Sequence, residues 1–234
     1  MSIRDIFPID KWDFKTESIL ADLPPADMAL LSVLSPQLYK KGEIIFKEGA
    51  YASGIFYIVE GKVKKYKVDT ESREHIIYVA NTGELIGYHA ILAEERYLDS
   101  AAALEQSGIA FISKENFLAA LRQSSVLNNR LLKTLSHEFS VLANSLTLQS
   151  HKSVRERLAL QLIVLREKYK VNFQPGMPVE INMGRDDLAS LVGTARENVV
   201  RVLKEFKEAG ILETKGRKII VQDVARLISI ANYK

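Results

Sequence analysis

Arg196, Glu197 and Arg201 carry side chains suited to reading DNA, and they lie in the segment RDDLASLVGTARENVVRVLK, residues 185–204. The planar guanidinium group of arginine can donate two hydrogen bonds to O6 and N7 of guanine, and glutamate can accept one from the amine of cytosine. At roughly 100° per residue on a helix, Glu197 and Arg201 lie nearly opposite the apolar positions, and Arg196 lies in the first turn. These three residues are therefore predicted to contact bases of a G·C-containing half-site in double-stranded DNA.

The segment that carries these residues predicts a helix-turn-helix. Leu188, Ala189 and Val192 form the apolar face of a first helix, and Gly193 is a turn residue that tolerates positive φ. The second helix is predicted to begin at Thr194 and to bury a stripe with the i, i+3, i+4, i+7 spacing. That stripe comprises Val199, Val202, Leu203 and Phe206. In such a motif the second helix enters the major groove.

Some of these residues also have purely structural interpretations. Thr194 and Glu197 form T-x-x-E, the pattern of a capping box, and Glu197 with Arg201 has the i, i+4 spacing of an ion pair. For Glu197, base contact and capping both stay open. Asp186 and Asp187 resemble an acid pair for general acid/base catalysis, but they fall in a first helical turn, where the helix dipole favours negative charge. The structural interpretation is favoured for these two aspartates.

A basic hairpin is predicted after the second helix. Two short β-prone runs, residues 211–214 and 218–222, flank the sequence KGR. Lys215 and Arg217 in such a wing contact phosphate, which adds affinity without reading sequence. An ordinary solvated turn is the alternative. Further predicted DNA contacts are Arg185, Thr194 and Asn198.

Composition limits the class of protein. A chain of 234 residues with 47% hydrophobic content can form two modest domains. No run approaches the ~18 apolar residues of a membrane span, and residues 1–15 do not form a signal peptide, so a cytoplasmic protein with no membrane partner is predicted. Cysteine is absent, which excludes disulfides and thiolate-held iron-sulfur clusters. Residues 184–234 carry ten Lys and Arg against seven Asp and Glu, a bias compatible with DNA binding but not evidence for it.

The first half of the chain predicts a small β-barrel or sandwich. From about residue 38 to 112, β-prone runs alternate with turn signals about every ten residues. Its corners are predicted at Gly42, Gly49, Gly61, Gly83 and Gly87. The four histidines have no metal-ligand spacing, and there is no phosphate loop, G-x-S-x-G motif or cysteine nucleophile. No metal, no other cofactor and no enzymatic activity are therefore expected.

An apolar stripe with alternating spacings of three and four predicts a coiled-coil seam between the two halves. Its residues are Leu132, Leu135, Phe139, Leu142 and Leu146. Two copies of the chain would pair along this seam, although the stripe could instead pack on its own barrel. Past Ser150 the sequence SVRERLALQLIVLREKY predicts an amphipathic helix, which FQPGMP ends before the β-prone PVEIN. A hinge between the two halves is predicted near residues 149–153.

The segment GTARENVVR, residues 193–201, resembles the G-x-S-R-E-x-V-x-R segment of the Crp/Fnr family of bacterial transcription regulators. The Arg-Glu dipeptide and the later Arg match those that the family uses on bases, whereas Ala195 and Asn198 depart from its commonest residues. IFYIVEGKV and GELIG are similar to the cyclic-nucleotide-binding roll of the same family. The resemblance extends over nearly the whole chain.

The resemblance implies an α+β protein in which an N-terminal double-stranded β-helix (a β-roll or jelly roll) is followed by a long dimerisation helix and a C-terminal winged helix-turn-helix. Residues 1–150 would form the sensor domain, with the dimerisation helix at about 115–150, and residues 151–234 the DNA-binding domain. The implied function is that of a homodimeric transcription regulator on a pseudo-palindromic operator. RNA polymerase is a further implied partner.

The resemblance also bears on the effector. In members that bind cyclic AMP, a Gly-Glu pair holds the ribose and an Arg-Ser pair holds the phosphate, but this chain has Gly87-Tyr88 and Asp99-Ser100. Replacing Arg by Asp turns attraction into a repulsion of about a few kcal/mol at an effective dielectric near 20, so cyclic AMP bound in the family manner is not expected. Arg96 would substitute only if its loop reconfigured. The equivalent pocket for an unidentified small-molecule effector comprises Gly87, Tyr88, His89, Asp99 and Ser100.

Two alternatives to an effector-controlled DNA-binding regulator stay open at the level of sequence. The roll could be collapsed and empty, in which case the chain would be a DNA-binding regulator without an effector. The protein could also be a regulatory module that acts through a protein partner, with the helix-turn-helix used for contacts between proteins. Binding to duplex DNA that weakens steeply with salt would separate this last class from the others.

Overall fold

The computed structural model of the chain describes residues 3–13, 19–31, 35–170 and 178–233. The chain forms two compact units, one of Phe14–Phe139 and one that combines Met1–Asp13 with Ser140–Lys234. Residues 3–13 thus pack with the C-terminal part of the chain, a placement that their sequence did not indicate. The division into functional domains at residue 150 stays a prediction. In the part of the chain that the structure describes, no helix is long and apolar enough to cross a membrane.

The unit of Phe14–Phe139 contains the predicted β-roll. Its strands are β1 (Gln37–Tyr39), β2 (Ile44–Phe46), β3 (Gly54–Glu60), β4 (Lys62–Val68), β5 (Glu74–Asn81), β6 (Leu85–Ile86), β7 (Ser100–Ala103) and β8 (Ser107–Ser113). Within the described residues they form two four-stranded sheets, in the orders β1-β8-β3-β6 and β2-β7-β4-β5. Every pairing is antiparallel. One buried cluster contains Phe46, Val63 and Ala101 from one sheet with Ile58 and Ile109 from the other, so the two sheets pack face to face.

The predicted corner glycines adopt the conformations that the corners need. All five have φ between +79° and +91°, a region that residues with a Cβ rarely occupy. Gly87 also has a packing role, because a Cβ at this position would lie 3.1 Å from Cε1 of Tyr97.

Helices cover the sheet that contains β3 and β8. They are α1 (Pro25–Leu31), α2 (Tyr88–Ala93), α3 (Lys114–Gln123) and the first turns of α4 (Ser125–His151). Ile55 and Ile112 of the sheet share a buried cluster with Leu31, Phe117 and Leu127 of these helices. Helix α3 begins at a Ser113 N-cap, whose side chain accepts a hydrogen bond from the Asn116 N–H.

The other unit is built around α5 (Val154–Lys168), which is capped by Ser153 and Glu156 in a capping box. The structure corrects the prediction of a one-sided amphipathic helix, since Leu158, Ala159 and Leu160 are all buried, as are residues 162–165. The physical reason is that α5 has neighbours on several sides. These are α6 (Arg185–Val192), α7 (Arg196–Glu208), α8 (Val224–Ala231) and β9 (Glu180–Asn182). Helices α4 and α5 are separated at Lys152 and Ser153, within the interval predicted for the hinge.

The N-terminal segment contains two short 3₁₀ turns, Ile3–Asp5 and Ile9–Lys11, and it packs on this second unit. Trp12 contacts the ring of Tyr233, with the centroids 4.5 Å apart. Asp13 forms an ion pair of 2.8 Å with Lys168, whose side chain is only 2% exposed. Most of the predicted FQPGMP break lies at residues 171–177, outside the described residues.

Candidate nucleic-acid interface and effector region

The predicted helix-turn-helix is present as α6 and α7. Helix α6 buries Leu188, Ala189 and Val192, and it ends at Gly193, which has φ 70° and ψ 53°. The Thr194 N–H then donates to the Ala189 carbonyl at 3.1 Å and closes the turn. The buried residues of α7 are Val199, Val202, Leu203 and Phe206, as predicted. Asp186 and Asp187 lie in the first turn of α6, the position on which their structural interpretation depends.

The predicted start of α7 was wrong. The N-cap is Ala195, which offers no side-chain acceptor, and the helix begins at Arg196. Thr194 lies one residue too early for a capping box with Glu197, and its Oγ1 instead accepts a hydrogen bond of 3.1 Å from Nδ2 of Asn198. Thr194 and Asn198 are thus already engaged with each other at the front of the helix.

The polar face of α7 carries the three predicted base-contacting residues at exposed positions. Arg196 Nε lies 3.4 Å from Oδ1 of Asp186, with 59% of the arginine side chain exposed. Arg201 does not pair with Glu197, because its Nη1 contacts Oε1 of Glu205 at 2.6 Å. Exposed pairs of this kind are worth about 0–1 kcal/mol. Both guanidinium groups can therefore leave their partners at little cost when a stronger acceptor is offered.

The predicted wing lies beside α6. Strands β10 (Leu212–Lys215) and β11 (Lys218–Val221) pair so that Lys215 faces Lys218 across the turn, and β9 extends the sheet. Gly216 has φ 58°, which fits a two-residue turn. The basic tip is exposed at Lys215 and Arg217.

Arg185 supports this wing. Its Nη1 donates to the Arg217 carbonyl at 3.3 Å, and its Nη2 donates to the Gly216 carbonyl at 3.2 Å. Burial lowers the pKa of Arg185. The guanidinium group predicted to bind DNA is thus used, in the free protein, to hold the wing tip against the start of α6. The DNA-contacting roles of these residues stay predictions.

The residues predicted for the effector pocket contact the protein itself. Tyr88 is buried and its hydroxyl donates to Oε1 of Glu138 at 2.5 Å, while Nε2 of His89 lies 2.8 Å from Oε2 of the same carboxylate. The two rings stack with centroids 4.2 Å apart. Glu138 belongs to α4, so these contacts tie α2 of the roll to the long helix. We call this cluster of Tyr88, His89 and Glu138 the clasp.

Opposing effects act on the ionisation of the clasp. Burial disfavours the charged form of Glu138, but the hydrogen bonds from His89 and Tyr88 outweigh it and hold the pKa of Glu138 below its usual value. Burial and then the charge of Glu138 raise the pKa of Tyr88. The phenol is therefore a hydrogen-bond donor and the carboxylate an acceptor at neutral pH.

The second part of the predicted pocket is also engaged. Asp99 Oδ2 lies 3.1 Å from Nζ of Lys65, and both side chains are largely buried. Ser100 Oγ accepts a hydrogen bond of 3.0 Å from the Glu48 N–H. Arg96 donates to the Gly49 carbonyl and lies over the ring of Tyr51, so it does not replace the absent arginine. Asp99 thus neutralises a lysine at the position where the resemblance implies a phosphate-binding arginine.

The stripe predicted for dimerisation lies on α4 and is largely exposed. Phe139 and Leu146 are each 74% exposed, and Leu132 and Leu142 are exposed as well. Leu135 is the exception, because it packs against the core of its own roll. Leu135 therefore packs on its own roll, as the alternative predicted, and pairing of two copies along the exposed residues of the stripe stays a prediction.

Sequence reasoning missed several partners in these contacts. Glu138 and Lys65 are distant in the chain from the pocket residues they bind, and nothing in their local sequence marks them. The acidic residues that pair with the arginines of α7 were ambiguous, since Glu197 and Glu205 both stand four positions from Arg201. Only the distances select Glu205.

Comparisons with known proteins agree with this architecture. Residues 36–124 match the family model of the cyclic nucleotide-binding domain, and residues 156–230 match that of the Crp-like helix-turn-helix domain. The chain is 27% identical to the cyclic AMP receptor protein of Thermus thermophilus over 93% of this chain and 98% of that protein. It is 26% identical to the transcriptional activator protein anr of Pseudomonas aeruginosa, over 82% of this chain and 78% of the relative.

Solved structures share the fold. FixK2 from Bradyrhizobium japonicum superposes with a TM-score of 0.74 at 21% identity, covering 86% of this chain and 99% of FixK2. The catabolite activator protein of Thermus thermophilus has a TM-score of 0.51 at 26% identity, covering 92% of this chain and 98% of that protein. The predicted fold class, a β-roll with a long helix and a winged helix-turn-helix, is confirmed.

The roll and the winged helix-turn-helix define a DNA-binding transcription regulator, and the relatives are regulators of this kind rather than enzymes. The chain belongs to the Crp/Fnr family.

Proposed function

We propose that this regulator acts as a homodimer on a pseudo-palindromic operator, in the cytoplasm, with α7 of each copy in a major groove. The observation that carries this proposal is the face of α7, where Arg196, Glu197 and Arg201 are exposed on a helix whose opposite side is buried. Two arginines and a glutamate on one exposed face suit a half-site that contains G·C pairs. RNA polymerase is a proposed further partner.

Phosphate contacts are assigned to residues around that face. Lys215 and Arg217 at the exposed wing tip supply positive charge, and Thr194 and Asn198 supply polar groups at the start of the recognition helix. Arg185 acts indirectly, through the wing carbonyls that it holds. Contacts of this type position the protein and carry no sequence information themselves.

Pairing of two copies is proposed through the exposed part of the α4 stripe. The exposed residues are Leu132, Phe139, Leu142 and Leu146. An apolar stripe at spacings of three and four on a long helix suits a coiled-coil contact with the same stripe of a second copy. A two-fold dimer would place two recognition helices about one DNA turn, ~34 Å, apart.

Selection of bound sequences from a random duplex pool tests this function. The expected result is a symmetric motif whose half-sites lie roughly 10 base pairs apart, centre to centre, and contain G·C pairs. Enrichment of a single asymmetric half-site would contradict the dimer. Recovery of no motif, together with binding that is insensitive to salt, would favour a module that acts on a protein partner.

Regulation without a small-molecule effector is a second candidate. It is supported by the contacts of Tyr88, His89, Asp99 and Ser100, which all bond to groups of the protein itself. Calorimetric titration with cyclic nucleotides and with a cell metabolite extract, combined with measurement of operator affinity in the presence of each, distinguishes regulation by an effector from regulation without one. An effector-independent regulator shows neither heat of binding nor a change of operator affinity.

A further inference from the structure

Arg157 lies where three helices of the C-terminal unit meet. It belongs to the first turns of α5, directly after the break at Lys152 and Ser153. Its Nη1 donates to the Lys152 carbonyl at 2.8 Å. Its Nε and Nη2 donate to the consecutive carbonyls of Val192 and Gly193, at 3.0 and 3.2 Å. One side chain thus joins the α4–α5 junction to the turn of the helix-turn-helix.

The carbonyls that Arg157 contacts are those that a helix leaves without an internal partner. Helix α6 ends at Val192, and Lys152 follows the last residue of α4. The last carbonyls of a helix accept no hydrogen bond from an N–H of the same helix, and they lie at the negative end of the helix dipole. A guanidinium group satisfies both helix ends at once, because its two edges donate in different directions from a rigid plane. A lysine ammonium group on a flexible stem cannot reproduce this fork.

The junction that Arg157 contacts is itself fixed to the rest of the unit. Nζ of Lys152 donates to the Asn232 carbonyl at 2.8 Å and to Oε1 of Glu156 at 3.3 Å. The same ammonium group lies 4.7 Å from the centroid of the Tyr233 ring. Arg157 therefore connects the turn to an anchored segment, and a shift of the turn relative to that segment would break its hydrogen bonds.

We propose that Arg157 is a positioning residue for DNA recognition, which fixes the turn before α7 relative to the α4–α5 junction and so sets the placement of the recognition helix. This inference rests on the proposed function of α7 in reading DNA. Arg157 acts without contacting DNA, because three of its five N–H donors, one on each nitrogen, hold carbonyls of the protein. The effect falls on specific binding, which needs all base contacts in register, and leaves non-specific attraction to phosphate unchanged.

The test compares Arg157→Ala, Arg157→Gln and Arg157→Lys in the full-length protein. Affinity for the operator selected by the wild type and for an unrelated duplex is measured at several salt concentrations. We expect about a tenfold loss of operator affinity in all three variants, equivalent to about 1.4 kcal/mol. Affinity for the unrelated duplex should match that of the wild type. So should the salt slope on the operator, which is the slope of the logarithm of the binding constant against the logarithm of the salt concentration. Arg166→Ala is the matched control, because it removes a guanidinium group near the other end of α5, where Arg166 pairs with Glu167.

A second measurement separates positioning from general stability. Hydrogen exchange of peptides that cover residues 189–198 should accelerate in the Arg157 variants, at a temperature where each is folded, while peptides from the roll exchange as in the wild type. Should the alanine variant fail to fold, the glutamine and lysine variants carry the test.

Three outcomes overturn the inference. Wild-type operator affinity in folded variants would show that the three hydrogen bonds do not determine the placement of the recognition helix. A salt slope reduced by about one in Arg157→Ala, with rescue by Arg157→Lys, would mean that the residue contacts phosphate. A wild-type protein without operator preference would remove the proposed function and this inference together, which distinguishes that failure from the other two.

Discussion

Replacement of Glu138 by glutamine tests whether the clasp ties the roll to α4. The substitution keeps the shape of the side chain but removes a charge that accepts hydrogen bonds from Tyr88 and His89, at 2.5 and 2.8 Å. Each hydrogen bond to a charged group is worth about 1.5–3 kcal/mol. Glutamine can still accept one bond through its carbonyl oxygen, so we expect the free energy of unfolding of the roll to fall by about 2 kcal/mol.

The stability that Glu138 contributes should depend on pH in a definite direction. The pKa of Glu138 in the folded protein lies below the ordinary value of 4.5. A carboxylate with a lowered pKa contributes stability that is fully present above its unfolded-state pKa and is lost as the pH falls through the folded-state value. The wild type should therefore lose this stabilisation below about pH 4.5. The difference between the wild type and Glu138→Gln should shrink over the same range.

The assay is urea unfolding followed by circular dichroism, at pH 7 and at a series of acid pH values. Protein concentration is held constant, because the proposed dimerisation would contribute to stability. Glu95→Gln is the control, because it removes an exposed carboxylate of the same unit. A loss below about 0.5 kcal/mol, or one equal to that of the control, would refute the reasoning. So would a difference from the wild type that does not change with pH.

Further predictions concern the other contacts. Phe139→Glu should leave the folded roll intact but raise the dissociation constant of the proposed dimer more than 100-fold, because a buried aromatic is worth about 1.5–3 kcal/mol and a two-fold interface contains it twice. Analytical ultracentrifugation measures the dissociation constant, and Leu98→Glu is the control at another exposed apolar residue. An unchanged dissociation constant in Phe139→Glu would contradict the proposed interface. Asp13→Ala should lower the free energy of unfolding by about 1.5–3 kcal/mol, since it removes the carboxylate that accepts a charged hydrogen bond from the buried ammonium group of Lys168. Adding Lys168→Met should recover part of that loss in urea unfolding, and a double variant as unstable as the single one would argue against a buried charge as the cause.

Sequence patterns predicted those parts of the fold that local periodicity and turn chemistry determine. The buried stripes of α6 and α7, the left-handed Gly193 and the hairpin around Gly216 each follow from residues close together in the chain. The corners of the roll were also predicted from local sequence, because positive φ is costly for residues other than glycine. Where one local signal dominates, the structure agrees with it.

Predictions failed where two local signals competed or where the partner was distant in sequence. The T-x-x-E pattern indicated a helix start at Thr194, yet the turn at Gly193 places the first helical residue at Arg196. Helix α5 was expected to have one apolar face, but it is surrounded by several elements. Glu138 lies 50 positions from Tyr88, and no periodicity connects them.

The central claim is that α7 reads bases through Arg196, Glu197 and Arg201. The most direct test titrates the wild type and Arg196→Ala against a set of operators in which each base pair is changed in turn, with Lys215→Ala as a control for phosphate contact. We predict that Arg196→Ala loses about 1–3 kcal/mol on the operator and loses its preference at one base pair of each half-site. The control should weaken binding to all duplexes about equally and reduce the salt slope by about one. Equal weakening of every duplex by Arg196→Ala would show that this residue contacts phosphate and would contradict the account.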